Sequence, residues 1–124
     1  MIGYPVDQSL QDDKLTRYLI ASARHGLSNW MRIFYFAGAD VNVKDKAGHT
    51  VVHHACKSYN MDTLKYIVDC KSYKHLHNTR TRGGVTPLMY AAQNPDINYV
   101  TLCLNAAMNP FTEDCLGQSV MTYA

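Results

Sequence analysis

The chain of 124 residues lacks the features that mark a membrane protein, a disulfide scaffold or an enzyme. Unbroken apolar runs stop at five residues, as in Ile33-Phe34-Tyr35-Phe36-Ala37, against the roughly 20 that a membrane-spanning helix needs. No membrane span is expected. Asp7 precedes the first base, Lys14, so neither a secretory signal nor an Arg-rich transit peptide is expected. The four cysteines, Cys56, Cys70, Cys103 and Cys115, form no C-x-x-C pair and none of the paired spacings of a zinc site. Without a secretion signal they read as reduced thiols serving as small apolar residues. An intracellular, reducing location follows, in the cytoplasm or cytoskeleton or on the mitochondrial matrix side of a complex, and not secreted.

Catalytic motifs are missing too. There is no G-x-S-x-G, no glycine loop for phosphate and no H-E-x-x-H. No nucleophile with a base, carboxylate pair or open metal position suggests itself. His75-Leu76-His77 with Cys70 upstream is a weak metal signal. No catalytic residue, cofactor, metal or small-molecule substrate is therefore expected. A net charge of +2 is too small to imply nucleic-acid or membrane binding.

What the chain does have is 47% apolar residues, enough for one compact domain of the usual size, and an internal repeat. The segment Asp45-Lys46-Ala47-Gly48-His49-Thr50-Val51-Val52-His53-His54-Ala55-Cys56 is echoed in Gly84-Val85-Thr86-Pro87-Leu88-Met89-Tyr90-Ala91-Ala92 and again from Asp114 through Gly117 and Ser119. The three glycines are 36 and 33 residues apart. A weaker copy starts at Asp12 and runs through Tyr18 to Gly26. Gly48, Gly84 and Gly117 predict tight turns. Thr50, Thr86 and Ser119 can each cap a following helix, and Pro87 suits a first helical position. A break at Gly26, Asn60 or Pro95-Asp96 separates this short helix from a second, with apolar residues at helical spacing: Met31, Phe34 and Tyr35; Leu64, Ile67 and Val68; Val100, Cys103 and Leu104. Between them stand Asn29, Arg32, Asp62, Lys65, Asn98 and Thr101, which should face water. Gly38 should end the first of these helices.

These residues resemble the ankyrin repeat family. The resemblance is carried by Gly48-x-Thr50 with His53 and Ala55, by Gly84-Val85-Thr86-Pro87-Leu88, by Ala23-Arg24-His25-Gly26, and by Gly38-Ala39-Asp40-Val41-Asn42 running into Asp45. It implies an all-α solenoid of helix-turn-helix units joined by β-hairpin or turn loops. About three repeats and a partial fourth are expected, at residues 12–44, 45–80, 81–113 and 114–124, after an N-terminal arm at residues 1–11. The copies depart from the pattern in places. Leu15 and Arg17 stand where the turn glycine and capping threonine belong. The second copy is three residues longer, and residues 71–79 lack the usual close, so that loop should be remodelled. His53 matches the family's structural histidine, and His54 is expected to be half exposed.

Both ends look unfinished, because a terminal solenoid unit needs a polar outer face. Trp30, Met31, Ile33, Phe34, Tyr35 and Phe36 fall in one helix, more than one neighbouring repeat should cover. Residues 1–10, with Ile2, Tyr4, Pro5, Val6 and Leu10, are expected to fold back over them, or a partner to do so. At the other end, the half-repeat from Ser119 should leave the third repeat partly open.

The family resemblance implies a protein-binding module with contact-prone residues on the turns and the exposed ends of the first helices. These are Asp13, Lys14, Arg24, His25, Lys46, Ala47, His49, Lys57, Ser58, Arg82, Gly83, Val85, Gln93 and Asn94. Five of the fourteen are Lys or Arg and one is acidic, which predicts a basic stripe. With Trp30 and Phe36, the residues expected to touch a partner are Lys14, Arg24, His25, Lys46, His49, Lys57, Arg82 and Gln93. Two functions compete: an accessory subunit of a larger intracellular assembly, or a free adaptor or inhibitor holding an acidic segment on the concave face. Nucleic-acid binding is disfavoured, since no row of exposed aromatics for base stacking is foreseen beside the stripe.

Overall fold

The computed structural model describes residues 8–120, with side chains from Lys14 onward. Six α-helices run in chain order: α1 Gln8–Arg24, α2 Ser28–Phe36, α3 Val51–Lys57, α4 Met61–Asp69, α5 Pro87–Ala92 and α6 Ile97–Asn105. A 3-10 helix, Lys71–Leu76, follows α4. They form three antiparallel pairs. α1, α3 and α5 pack side by side as an inner row, and α2, α4 and α6 stack behind them. No strand occurs among the described residues, so the connections between pairs are turns.

Local chemistry sets these boundaries. Thr50 precedes α3 in a reciprocal cap: its N–H donates to His53 Nδ1 at 3.1 Å, and its hydroxyl accepts a long 3.5 Å bond from the His53 N–H. α5 opens on Pro87, whose missing N–H costs nothing there. The expected hydroxyl cap does not form at that helix, because Thr86 Oγ1 is buried without a partner and its N–H turns to Met89 Sδ. Asn60 caps α4 by accepting from Thr63 N–H at 3.0 Å, and Asp96 caps α6 by accepting from Asn98 N–H at 3.0 Å. Met31, Leu64, Ile67 and Cys103, on the inward faces of the second helices, are fully buried against Leu19, Val51, Val52, Leu88 and Met89. Each large aliphatic side chain removed from water in this way contributes roughly 1.5–3 kcal/mol. The six outward polar residues of α2, α4 and α6 are all exposed as the spacing requires, whereas Leu104 is 43% exposed and outside the core.

Three turns stack in register along one side. In each, the backbone N–H of Asp45, Thr81 or Asp114 donates to the carbonyl four residues on, at His49, Val85 or Gln118. Each turn is bonded to the next: Arg82 N–H donates to Ala47 C=O at 3.0 Å, and Cys115 N–H to Gly83 C=O at 2.8 Å. Gly84 shows why the middle turn needs glycine. Its φ is +80°, and a Cβ there would lie 2.6 Å from the Arg80 guanidinium and 3.0 Å from Asp114 Cα. α2 ends in a Schellman motif at Gly38, with Ala39 N–H bonded to Phe34 C=O. α6 repeats that geometry with Ala107 at φ +67°, Met108 N–H bonding Cys103 C=O.

The first and second units depart from the regular form. α1 has no turn before it: the helix passes through Leu15 and Arg17, where a glycine and a cap are lacking, and reaches back to Gln8. Residues 8–11, expected in an arm, lie in this helix. The expected cover by residues 1–7 lies outside the described residues, as does the fourth repeat's helix beyond Val120. In the second unit, the extra residues form the 3-10 helix, which buries Tyr73 completely between the rings of Tyr66 and Tyr35, at 6.0 and 6.4 Å. Tyr35 Oη and Ser72 Oγ are 2.7 Å apart, tying this loop to the first repeat.

Candidate protein-interaction surface

Three surfaces carry the residues singled out above. On the concave side, α3, α5 and the first turn build a polar cluster around Asp45. Its Oδ1 accepts from the N–H groups of Ala47 and His49 at 3.0 and 2.9 Å, and from His49 Nδ1 at 3.3 Å. Its Oδ2 accepts from His54 Nε2 at 3.0 Å. With His49 Nδ1 donating to Asp45, Nε2 is left to accept from the Tyr90 hydroxyl at 2.6 Å. The Lys57 ammonium lies 4.9 Å above the Tyr90 ring centre, a cation–π contact. Burial pushes the Asp45 carboxyl up. The hydrogen bond from His49 N–H and the charges of His49 and His54 more than offset it, and the net shift is downward. The acid of this cluster keeps its charge but is enclosed by amide and imidazole hydrogen bonds, with Arg24 and Lys57 exposed nearby.

His54 is not half exposed as expected. It is 5% exposed because Asp45 gives its ring a buried partner, and burial, opposed by Asp45 and reinforced by the charge of Arg24, lowers its pKa. His53 is fully buried. Its Nδ1 accepts from Thr50 N–H, so Nε2 carries the proton and donates to Val85 C=O at 2.9 Å, joining repeat to repeat. Burial is the main cause that lowers its pKa from 6.5 to about 4, against the Val85 bond, which raises it.

The second surface is the end of the stack formed by α1 and α2. Phe34 stacks on Tyr18 on one side and Trp30 on the other, with ring centres at 5.4 and 5.8 Å. Tyr18, Leu27, Trp30 and Ile33 are each about half exposed. The rings wall a shallow dent of about 210 Å³ floored by Ala21 and Ser22. The third surface is a groove of about 720 Å³ between α2 and α4, lined by Phe36, Arg32, Tyr66 and Cys70 among others, with Arg32 4.9 Å over the Tyr66 ring.

The residues expected to contact a partner divide among these surfaces. Arg24, Lys46, Lys57, Arg82 and Gln93 are exposed along the concave side and turn tips. Arg24 shares a groove of about 590 Å³ with Arg17, Lys44 and Asp45. His49 is half-buried and held by Asp45 and Tyr90. His25 lies with Trp30 in the end dent, away from the stripe. Lys14 is exposed on α1, and Phe36, 83% exposed, belongs to the outer groove. Tyr90 and Asp45 were missed. Aligning the units would have revealed Tyr90, because Ala21, His54 and Tyr90 occupy one position of the inner helices, 33 and 36 residues apart. No group of three or more His, Cys, Asp or Glu able to hold a metal occurs among the described residues. His75 bonds Asn42, while His77 is buried away with neither ring nitrogen paired.

Residues 19–114 match the family model of ankyrin repeats, in three copies. The chain is an ankyrin-repeat protein. Ankyrin repeats are in general protein–protein interaction modules. The match starts at Leu19, inside α1, and stops at Asp114, at the third turn. No curated protein matches the chain. Among the described residues no helix of this ankyrin protein is long and apolar enough to cross a membrane.

Proposed function

We propose that this ankyrin protein is a non-catalytic accessory subunit held within a larger intracellular protein assembly. The observation that carries the reading is the aromatic end of the stack, where Tyr18, Leu27 and Trp30 stand about half exposed around one dent, with Ile33 half exposed on the same helix as Trp30. Because each is already about half buried, covering the remainder is worth about half of the roughly 1.5–3 kcal/mol of a fully exposed side chain, about 3–6 kcal/mol over the four, a large part of the stability of a small domain. A clustered apolar patch of this kind marks an interaction site more than a solvated surface. The four free thiols, two of them fully buried, support a reducing compartment. Sedimentation of the chain in native extract and after isolation tests the reading. A subunit migrates with a large particle in extract and aggregates or stays partly unfolded when isolated; a stable soluble monomer in both refutes it.

A second reading is favoured by the concave cluster: a free adaptor or inhibitor that holds an acidic segment against Arg24, Lys46, Lys57 and Arg82. Its support is the exposure of these four cations, and electrostatics of this kind set on-rate and register more than affinity. Charge reversal of Lys46, Lys57 and Arg82 to Glu should abolish binding of such a segment; unchanged binding refutes this reading.

A further inference from the structure

The acid of the concave side stands among its cations. Asp45 shares the groove beside α1 with Arg24 and Lys44, and its side chain keeps 27% of its surface open to solvent. Arg17 lines the same groove, but Asp13 precedes it by about one helical turn, so Arg17 is left out of the count. A carboxylate in this place competes with any incoming acid for Arg24 and Lys44, and like charges across an interface are unfavourable. A groove that is to receive an acidic segment thus carries its own competitor.

Three imidazoles lie beside that carboxylate, and they differ in what a second ring proton would do. His53 accepts the Thr50 N–H at Nδ1 and donates from Nε2 to Val85 C=O, so the extra proton would break a buried bond. His54 already gives its Nε2 proton to Asp45, and burial together with the charge of Arg24 opposes another. His49 is built differently. Its Nδ1 proton faces Asp45 Oδ1 at 3.3 Å, and its Nε2 accepts from the Tyr90 hydroxyl at 2.6 Å. A proton arriving at Nε2 keeps both contacts, because the Tyr90 hydroxyl can turn its own hydrogen away and accept instead. The half-buried ring is then an imidazolium in contact with Asp45, cancelling that charge at close range. The remaining charges on this side are Lys57, over the Tyr90 ring, and Lys46 and Arg82 on the turns, Arg82 beside Gly48. These cations oppose the proton; Asp45, in hydrogen-bond contact, favours it.

Resting on the adaptor reading, we propose that Asp45 masks the cations of the concave side and that proton uptake at His49 lifts the mask, so that an acidic protein segment binds more tightly as pH falls. The sign follows from linkage: with the segment's carboxylates beside it, His49 holds its proton more firmly than in the free chain, so binding takes up protons. The full chain is titrated by calorimetry at low salt with a short synthetic peptide of alternating Asp and Ser, from about pH 7.5 to about pH 5.5, where imidazoles titrate and Asp carboxylates do not. Affinity should rise about fivefold across that range, with up to about one proton taken up, and the rise should shrink as salt is added. Asp45→Asn keeps the oxygen that accepts the Ala47 and His49 N–H groups and removes the charge. It should bind at about pH 7.5 as tightly as the wild-type chain does at about pH 5.5, and respond little to pH. His49→Gln should stay at the weak level throughout; far-UV circular dichroism checks that each chain is folded at each pH. A wild-type affinity that is flat or falls towards acid overturns the proposal. So does an Asp45→Asn chain no tighter than wild type at about pH 7.5, or an undiminished pH response in His49→Gln. In each of these cases, binding that is still lost on reversal of Lys46, Lys57 and Arg82 to Glu leaves the adaptor reading standing, whereas no binding at any pH removes both. A single-stranded oligonucleotide of equal charge that binds tighter than the peptide overturns the choice of partner.

Discussion

Protonation of His53 should destabilise this protein from the inside. The ring is fully buried, accepts the Thr50 N–H at Nδ1, and donates from Nε2 to Val85 C=O in the next repeat. Only the neutral form can do both, since a proton on Nδ1 would face the Thr50 proton. The folded pKa is about 4 against 6.5 for the free side chain, so the unfolded chain binds the proton first. Stability is then complete above about pH 6.5, falls as pH drops between 6.5 and about 4, and levels off below. At about 1.4 kcal/mol per pH unit the gap is worth about 3 kcal/mol, a large part of the total for a domain of this size. His54 shifts in the same direction and adds to the slope. Asp45, whose carboxyl pKa is lowered from 3.8, loses its contribution only in stronger acid. Urea unfolding followed by circular dichroism from pH 7 to about pH 4 measures the slope. In His53→Gln the baseline stability should be lower and most of the acid slope gone. A flat profile in the wild-type chain, or an undiminished slope in the variant, would refute the reasoning.

The turns and helix ends give further tests in the same unfolding assay. Gly84→Ala forces a Cβ to 2.6 Å from Arg80 and 3.0 Å from Asp114 Cα at φ +80°. It should cost about 2 kcal/mol or more, since the left-handed conformation alone costs an L-residue roughly 1–2; a loss within error of zero would mean that the turn relaxes. Ala107→Gly at φ +67° should stabilise by about 0.5–1 kcal/mol, the left-handed strain relieved less glycine's greater entropy loss, and a destabilised variant would contradict the cap described for α6. His77→Leu should be neutral or stabilising by about 1–2 kcal/mol, because neither buried ring nitrogen has a partner; a loss of that size would reveal a bond the imidazole makes.

The regular units were legible because their chemistry is local. Gly48, Gly84 and Gly117 mark the turns, Thr50 and Pro87 start helices, Asn60 and Pro95-Asp96 mark the breaks before the second helices, and the burial of Met31, Leu64, Ile67 and Cys103 follows from 3.6-residue spacing. What stayed hidden depends on residues distant in the chain. Leu15 and Arg17 marked a departure from the repeat pattern, but not that a helix would run through them to Gln8 in place of the expected turn at Asp13 and Lys14. Nothing near His54 announces that Asp45, nine residues earlier, will cover it, and Tyr90 gains its role from His49, 41 residues away. The remodelled second loop could be located by its extra length. The burial of Tyr73 against Tyr35 and Tyr66 could not, because it needs two repeats in place at once. For the candidate surface, the cations were found as a list; their division among a concave side, an end dent and an outer groove is a fact of packing.

The third turn sits ahead of a unit of which the described residues hold almost nothing, and yet it is bonded firmly backwards. Cys115 N–H reaches Gly83 C=O, Arg80 Nη2 donates to Glu113 C=O at 2.9 Å, and Asp114 Oδ1 takes the N–H groups of Leu116 and Gln118. It closes the turn before it: the Gly83 acceptor is bonded by a loop whose own Leu116 and Gln118 donors are satisfied by an aspartate. Truncation after Pro110 would therefore remove no helix of the three pairs but would strip that closure, so the damage should begin at Gly83 and Gly84 and reach the His53 bridge at Val85 before it reaches the buried core.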